Sequence, residues 1–492
     1  MKNSHALKMF AATFLLALNA GQALQAQAPK DEQLATVASS REDDEKKYAS
    51  RNAENLKSSR SVKEMKNNDI VTMDSDYNHI IMSGQSLSVG ADSEVTLSTE
   101  QKHGNVMIGD DVSFWIQNDN GKFFPLIGKQ GRGGENPVFG TANFFKKLYE
   151  DSKGPERMII ASSCGTSGKS IEQLSKDGPN CVLDEKAQIA AKKWCLWSKM
   201  PGAVRAGKEI TAKLGKSYSV IAVCWVQGET NYSPNGADWA TTKDDYKKKL
   251  AEYRQNFIKD AANDIAGQKM PPAFITYQTG GSYSNDINGL AIGMAQWELT
   301  NEVPGCYMAT PKYPFVSYGG HLTANGYRWM GAQFAKVLDK VLLKRQGWKP
   351  LSPRNLSLEG RTISIDFHVP EPPLVFDGTY IGRKKMDSGN KGFAVLDIDG
   401  EVPVKSVRIV MGTIVEIVCA RDFHKGSVYV KYAGKTPFDG NGNLRDSDTA
   451  VSEDLYVYDP DAKNLPDENI PELVGKPYPL YNWSIAFYLK AR

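Results

Sequence analysis

The sequence reads His79-Ile80-Ile81-Met82-Ser83-Gly84-Gln85-Ser86 where a short, continuously apolar run ends in a polar turn. Four further apolar runs follow, and segments with helical periodicity separate them. They lie at residues 158–161, 220–225, 273–277 and 306–308. Continuous apolar strands that alternate with amphipathic helices are typical of a parallel sheet covered by helices on both faces. We therefore predict an α/β fold over residues 69–347, with a ligand site beyond the carboxyl ends of the strands.

Both flanks of this region differ from it. Residues 29–68 are dense in charge of both signs and poor in apolar residues, which predicts a charged linker. After Pro350 the helical period disappears, and turn residues separate five segments of period two. These segments lie at residues 362–367, 406–410, 414–418, 427–432 and 483–487. Such alternation predicts an all-β accessory domain, similar to a β-sandwich, over residues 348–492.

The overall composition is that of an ordinary globular protein. Of the 492 residues, 41% are hydrophobic and 24% are charged, which argues against a largely disordered chain and against a polytopic membrane protein. The 60 basic and 57 acidic residues leave a net charge of only +3. A protein that binds nucleic acid should show a clustered basic face, so we expect no nucleic-acid partner.

The amino terminus has the pattern of an export signal. Lys2 and Lys8 precede the apolar segment 9–18, and small residues follow as far as Ala28. A basic start, a short apolar middle and an A-x-A-like end are typical of a secretory signal peptide. We therefore predict a signal peptide over residues 1–28 and an exported mature protein, periplasmic or extracellular, with no membrane association after the signal is removed.

The chain contains six cysteines, too few for a fold built on disulfides. Cys181 and Cys195 lie in one polar insertion that a bridge could join, whereas Cys164 and Cys224 lie in apolar runs and are expected to be buried thiols. There is no C-x-x-C pair and no H-E-x-x-H motif. The sequence therefore predicts no metal site.

Polar motifs follow several of the predicted strands. Gly84-Gln85-Ser86 follows the first, a loop at residues 163–170 follows the second, and Gln227-Gly228-Glu229 follows the third. His321 stands just before a helix that Thr323 caps. Because these strands should end at one edge of a parallel sheet, their motifs are candidates for a common site.

Each motif taken alone also has a structural explanation. A serine after a strand often caps a helix, and a single histidine before a helix is usually structural. The loop 163–170 is close to a phosphate-binding P-loop, but Ser163 occupies a position where that motif needs glycine. Nucleotide binding is therefore disfavoured.

The combination and order of the motifs resemble the SGNH-hydrolase superfamily, specifically its sialate O-acetylesterase and carbohydrate-acetylesterase branch. That branch reads G-Q-S-N near its start, a G-G-T-x-I-like block, Q-G-E in the middle and D-x-x-H at the end. The resemblance covers residues 69–344. It implies an SGNH-type (flavodoxin-like) parallel sheet and a serine esterase without metal or cofactor. Such an esterase removes O-acetyl groups from carbohydrates, either sialic acid or plant or host polysaccharide.

The resemblance also implies roles for individual residues. Ser86 would be the nucleophile and His321 the base that removes its proton. The oxyanion hole would consist of the backbone N–H groups of Ser86 and Gly168 (Gly165 if the loop aligns differently) and the side chain of Gln227. Glu229 matches the carboxylate of the Q-G-E motif and would brace the site. Hydrolysis would pass through an acyl-serine.

Two positions depart from the family pattern. Leu87 replaces the asparagine after the nucleophile, and Tyr318 replaces the aspartate three residues before the catalytic histidine. Glu229 or a backbone carbonyl near Tyr318 would then have to orient the imidazole. The alternative is a non-catalytic carbohydrate-binding protein on the same scaffold. Three aromatic residues near the strand ends are either a platform for sugar or ordinary core, namely Trp225, Tyr277 and Trp297.

Overall fold

The structure of the protein is a computed structural model. It describes residues 29–492 apart from 94, 116–119, 131–133, 183–185, 189–192, 233–239, 282–288, 319, 379–389 and 460–468, and at 29–41 and 318 it describes the backbone alone. The predicted signal peptide lies outside the described residues. By its contacts the chain divides into two compact units, Met1–Ala49 and Ser50–Arg492. Over the described residues, we find no helix that is both long and apolar enough to span a bilayer.

A seven-stranded sheet lies at the centre of the second unit. Its strands are β1 (Tyr77–Gly84), β2 (Val106–Ile108), β3 (Phe123–Pro125), β4 (Met158–Ser163), β5 (Tyr218–Val226), β6 (Ala273–Gln278) and β7 (Cys306–Pro311). They pair in the order β3-β2-β4-β1-β5-β6-β7, and every pair is parallel except β2 with β3. The five strands predicted from the apolar runs are all present, and the parallel α/β fold is confirmed.

Helices cover both faces of this sheet. They are, after α1 (Pro29–Glu64), α2 (Pro137–Asp151), α3 (Ile171–Leu174), α4 (Lys199–Lys213), α5 (Glu229–Tyr232), α6 (Lys243–Phe257), α7 (Ala291–Glu302) and α8 (Ala324–Leu338), with π-helical extensions at Ile258–Ala266 and Asp339–Leu343. Consecutive residues of β1 serve opposite faces: Ile80 joins the core under α2 and α8, and Ile81 joins the core under α4, α6 and α7. Strands that are buried on both faces explain the continuous apolar runs.

The carboxyl-terminal part of the chain is built from antiparallel strands. After the hairpin β8 (Ser317–Tyr318) and β9 (His321–Leu322), the strands are β10 (Ser352–Glu359), β11 (Thr362–His368), β12 (Val375–Phe376), β13 (Phe393–Asp397), β14 (Gly400–Val402), β15 (Val404–Val410), β16 (Ile414–Cys419), β17 (Tyr429–Tyr432), β18 (Leu444–Arg445), β19 (Val451–Leu455), β20 (Pro477–Pro479) and β21 (Phe487–Lys490), with a short helix α9 (Lys435–Phe438). Two four-stranded sheets, β10-β11-β16-β15 and β14-β13-β17-β21, share one apolar core. The predicted change to all-β structure is confirmed.

The segment predicted as a charged linker is helical. Its residues from Pro29 to Glu64 form α1. The part from Ser50 onward forms side-chain hydrogen bonds with the β region. Arg51 donates from Nε and Nη2 to the Asp366 carboxylate at 2.9–3.1 Å, and Asn55 Nδ2 donates to Thr413 Oγ1 at 3.1 Å. Polar and charged contacts therefore hold this half of the helix in place. The linker prediction rested on the low content of apolar residues, which gives no information about polar contacts with distant strands.

The last predicted strand is shifted along the chain. Residues 483–487 alternate as a strand should, but β21 begins only at Phe487. The preceding residues bond to the α/β part instead: Tyr313 donates to the Ser484 carbonyl at 2.6 Å, and the Ala486 N–H donates to Gln278 Oε1 at 2.7 Å. These contacts occupy the backbone groups that a continuing strand would need.

The structure joins Cys181 and Cys195 in a disulfide, the pairing that the sequence left possible. Cys164 and Cys224 are free and buried, as expected for thiols in apolar strand ends. Burial raises the pKa of the Cys164 thiol to about 12, so this group is neutral at physiological pH.

Candidate active site

The turn after β1 brings Ser86 to the carboxyl edge of the sheet. Gly84 adopts a φ of +141°, and a Cβ on it would lie 2.0 Å from the Val226 carbonyl oxygen of β5, so only glycine fits there. A single 3₁₀ turn, Ser86–Ser88, follows at once. The Gln85 N–H donates to the same Val226 oxygen at 3.0 Å. The close approach of two strands thus determines where the serine stands.

His321 reaches the serine from the far end of the α/β region. It lies in β9, just before α8, whose first turn is capped by Thr323 through a 3.1 Å bond from the Gly326 N–H. The Nε2 atom of His321 is 2.7 Å from Ser86 Oγ, although 235 positions separate the two residues. A nucleophile and a base within hydrogen-bonding distance form the core of an acyl-transfer site.

Asp92 completes this arrangement, although it belongs to none of the sequence motifs described above. Its Oδ2 atom is 2.5 Å from His321 Nδ1. A carboxylate at Nδ1 accepts that proton and leaves Nε2 free to accept the hydroxyl proton of Ser86. The three side chains therefore have the order and contacts of a serine–histidine–aspartate triad.

The loop that carries Asp92 is held from two sides. Ser93 Oγ donates to the carbonyl oxygens of Gly90 at 2.8 Å and Glu135 at 3.1 Å. The Tyr327 hydroxyl of α8 donates to the Ala91 carbonyl at 2.8 Å. Asp92 itself has a φ of +62°, a conformation that aspartate tolerates better than most residues. Its side chain is 69% exposed, so the carboxylate is held by its loop and not by burial.

Glu229 is not the residue that orients His321. Its Oε1 atom accepts a short hydrogen bond from the Tyr277 hydroxyl of β6, and its Oε2 atom is buried without a hydrogen-bond partner among the described residues. Burial raises the pKa of Tyr277 well above its usual range, so the phenol stays protonated and donates. The alternative, a carbonyl near Tyr318, is not needed either, because Asp92 occupies Nδ1.

Gln227 is placed as a buried cross-link and not as an oxyanion donor. Its Nε2 atom lies 2.7 Å from Asn231 Oδ1 and 3.2 Å from Gln85 Oε1, and its Oε1 atom accepts from the Tyr246 hydroxyl at 2.6 Å. The side chain is fully buried. Because these partners already engage the amide, it has no free donor for a reacting oxygen. The oxyanion role that the motif resemblance implies for this glutamine is therefore not supported by its contacts.

Gln85 explains why the first and third motifs occur together. Its Oε1 atom accepts from Gln227 Nε2, from the Gly228 N–H at 3.3 Å and from the Thr230 N–H at 3.1 Å. One buried amide oxygen thus satisfies the backbone of the Gln227-Gly228-Glu229 turn and fixes it beside Ser86. These two motifs maintain the shape of the site.

Of the two candidate glycines, Gly165 packs against the turn that carries Ser86 and Gly168 does not. A Cβ on Gly165 would lie 1.9 Å from Ser88 Oγ and 3.0 Å from the Gly84 carbonyl oxygen, so this residue packs directly on the turn after β1. Gly168 is exposed, with open space around it. The helix after this loop, α3, has only four residues and Ser170 caps it, which does not form the phosphate cradle of a P-loop.

The remaining candidates are structural. Trp225 and Tyr277 are fully buried and offer no face for sugar, and Trp297 is half-buried and packs against the core of the β region. His79 is buried in β1 between the Tyr218 hydroxyl and Ser162 Oγ, and burial lowers its pKa to about 3. A neutral histidine with both ring nitrogens hydrogen-bonded inside a strand belongs to the core.

Comparison with solved structures relates the fold to known proteins. A carbohydrate acetylesterase from Xanthomonas citri is 16% identical and superposes with a TM-score of 0.52, over 84% of this chain and 80% of its own. A protein from Arabidopsis thaliana is 17% identical, with a TM-score of 0.34 over 53% of this chain and 96% of its own. The chain matches no family model and no curated protein. At this level of identity, the first likeness shows a shared fold and nothing more specific.

Proposed function

We propose that this protein is an exported serine esterase that removes O-acetyl groups from carbohydrates. The observation that carries the proposal is the linear array of Asp92, His321 and Ser86, joined by contacts of 2.5 Å and 2.7 Å at the carboxyl edge of the sheet. Export rests on the predicted signal peptide over residues 1–28. The substrate class rests on the motif resemblance. It is further supported by the fold shared with the Xanthomonas citri protein, which is described as a carbohydrate acetylesterase.

The chemistry follows from the tautomer that Asp92 selects. His321 Nε2 takes the proton of Ser86 Oγ while that oxygen attacks the acetyl carbonyl, and Asp92 stabilises the imidazolium that forms. The tetrahedral intermediate collapses, the C–O bond to the sugar breaks, and His321 returns the proton to the departing sugar oxygen. Water then attacks the acetyl-serine with the same base, which releases acetate and regenerates Ser86.

The negative charge on the acetyl oxygen needs donors, and we assign them to backbone amides. Those of Ser86 and Gly165 donate to no described residue, and Gly165 packs directly on the turn that holds the nucleophile. Gln227, the third donor expected from the resemblance, is already engaged. An oxyanion hole of two backbone N–H groups is sufficient for acyl transfer in other serine hydrolases.

The non-catalytic, carbohydrate-binding alternative loses its main support. It depended on Tyr318, which replaces the expected triad aspartate. Asp92 supplies a carboxylate to His321 from another part of the chain, so the substitution at 318 no longer implies inactivity.

Acetate release tests the proposal directly. Purified protein is incubated with 4-nitrophenyl acetate and with acetylated xylan and acetylated mucin, beside Ser86→Ala. We expect release by the parent protein and a drop of about 10³-fold or more in the variant. A matched control is Ser152→Ala, because this exposed serine ends α2 at the opposite edge of the sheet and should not affect the rate. Equal rates for the parent and Ser86→Ala would refute the proposal.

A further inference from the structure

A buried lysine supports the loop that contains Gly165. Lys199, the first residue of α4, is 3% exposed, and its Nζ atom donates to the Gly165 carbonyl oxygen at 2.6 Å. The ammonium also lies 4.0 Å from the centre of the Trp115 ring, within the range of a cation–π contact. Neither Lys199 nor Trp115 belongs to a motif that the sequence analysis identified.

The peptide groups around Gly165 are fixed on each side. The Cys164 N–H donates to the Met82 carbonyl at 2.7 Å, and the Thr166 N–H donates to the Gly84 carbonyl at 2.9 Å. With the Gly165 carbonyl held by Lys199, the dihedral angles of this glycine have little freedom. Its own N–H, which donates to no described residue, therefore points in one direction.

The charge of Lys199 is buried without a compensating carboxylate among the described residues. The titratable group that faces it from the end of β4 is the Cys164 thiol, which is neutral because its pKa is raised to about 12. Burial lowers the pKa of Lys199 to about 8. A basic group whose pKa is depressed in the folded state lowers stability at neutral pH, so burying the Lys199 ammonium destabilises the folded protein.

We propose that Lys199 is a positioning residue for the oxyanion hole: clamped between Trp115 and the Gly165 carbonyl, its ammonium holds the loop so that the Gly165 N–H faces the reacting oxygen. The proposal rests on the esterase function proposed above. Lys199 does not touch the reacting atoms. It acts through the geometry of Gly165. A substitution at Lys199 should therefore lower kcat and leave KM largely unchanged.

The variant Lys199→Met tests this role, because methionine keeps the length and the contact with Trp115 but removes the charge. Thr166 Oγ1 still donates to the Gly165 carbonyl at 2.8 Å, so that oxygen is not left unpaired. We expect kcat on an acetylated substrate to fall about tenfold with little change in KM, and thermal stability to stay equal or rise. The arginine variant, Lys199→Arg, should recover part of the lost kcat.

A pH profile provides a second readout. In the parent protein kcat should fall as pH rises through about 8, where Lys199 loses its proton. Lys199→Met should lack this step because it has no group to titrate, and Lys199→Arg should lack it because arginine stays charged. The rate of base-catalysed release without enzyme is subtracted at each pH.

Lys146→Met is the matched control. Lys146 of α2 is also a buried lysine, and its Nζ lies 5.5 Å from the Tyr149 ring centre. Its Nζ donates at 2.6 Å to the carbonyl of Arg157, which precedes the amino end of β4, away from the proposed site. The variant Lys146→Met should leave kcat and the pH profile of the parent protein unchanged. Hydrogen exchange of the loop 163–170 should increase only in Lys199→Met. An unchanged loop exchange and kcat in Lys199→Met would overturn the positioning role, whereas a parent protein without acetate release would overturn the esterase function instead.

Discussion

At the scale of single residues, Asp92 has the clearest consequence. It stands in a loop only a few positions after Ser86, and its contact with His321 Nδ1 depends on a left-handed backbone and on Ser93 and Tyr327. The usual position for this acid, just before the histidine, holds Tyr318. A triad needs a carboxylate at one point in space, and a different stretch of chain can bring it there.

The variant Asp92→Asn should therefore lower kcat by about 10²–10⁴-fold, because an amide no longer selects the tautomer that leaves Nε2 free. The acetate-release assay measures this effect. Asp151→Asn serves as its control, since that exposed carboxylate pairs with Lys147 on the surface of α2. An unchanged rate in Asp92→Asn would remove Asp92 from the mechanism.

The substitution Gln227→Ala separates a structural role from a catalytic one. It removes a buried amide that bonds Asn231, Gln85 and Tyr246, so we expect the free energy of unfolding to fall by about 1–3 kcal/mol. Chemical denaturation measures this loss. Unchanged stability together with a 100-fold lower kcat would restore Gln227 to the oxyanion hole.

At the scale of elements, α2 and α8 pack closely through two glycines. A Cβ on Gly140 of α2 would lie 2.4 Å from the Arg328 carbonyl oxygen, and one on Gly331 of α8 would lie 2.3 Å from the Pro137 carbonyl oxygen. This contact matters for the site because α8 follows His321 and carries Tyr327, which holds the Asp92 loop. The missing side chains allow the two helix backbones to meet.

For this reason Gly331→Ala should destabilise the protein by roughly 1–3 kcal/mol. Alanine within a helix normally stabilises a protein by up to about 1 kcal/mol relative to glycine. A loss of stability in Gly331→Ala would therefore show that the close approach of α2 and α8 outweighs this preference. Denaturant unfolding of the variant measures it. A stabilised variant would show that the two helices have room for a methyl group.

At the scale of the whole molecule, the α/β sheet and the carboxyl-terminal β strands are tied together within the unit from Ser50 to Arg492. Gln278, at the end of β6, exchanges two hydrogen bonds with the backbone of Ala486, and Trp329 of α8 donates to the Pro479 carbonyl at 2.7 Å. The boundary predicted at 347–348 marks the change of structure but lies inside this unit, and a separate β domain stays a prediction. The proposed site is built on strands and helices that the β region buttresses.

The fold could be predicted from the sequence because periodicity reports burial. Five continuous apolar runs correspond to the five longer strands of the parallel sheet, whereas β2 and β3 have only three residues each and no pattern to detect. The segment that forms the helix Pro29–Glu64 was predicted as a charged linker for a different reason. Its second half is held by ion pairs and hydrogen bonds to residues far away in the sequence. Such contacts cannot be predicted from a pattern of apolar residues.

What the sequence determined by itself was the parallel α/β class and the placing of Ser86 and His321 at strand or helix ends, because both follow from local periodicity and short motifs. Only the tertiary structure decided that Asp92, and not Glu229, meets the imidazole, and that Gln227 is fully engaged inside the protein. Those outcomes depend on atoms within about 3 Å of one another, and distances between loops are a property of the folded chain as a whole.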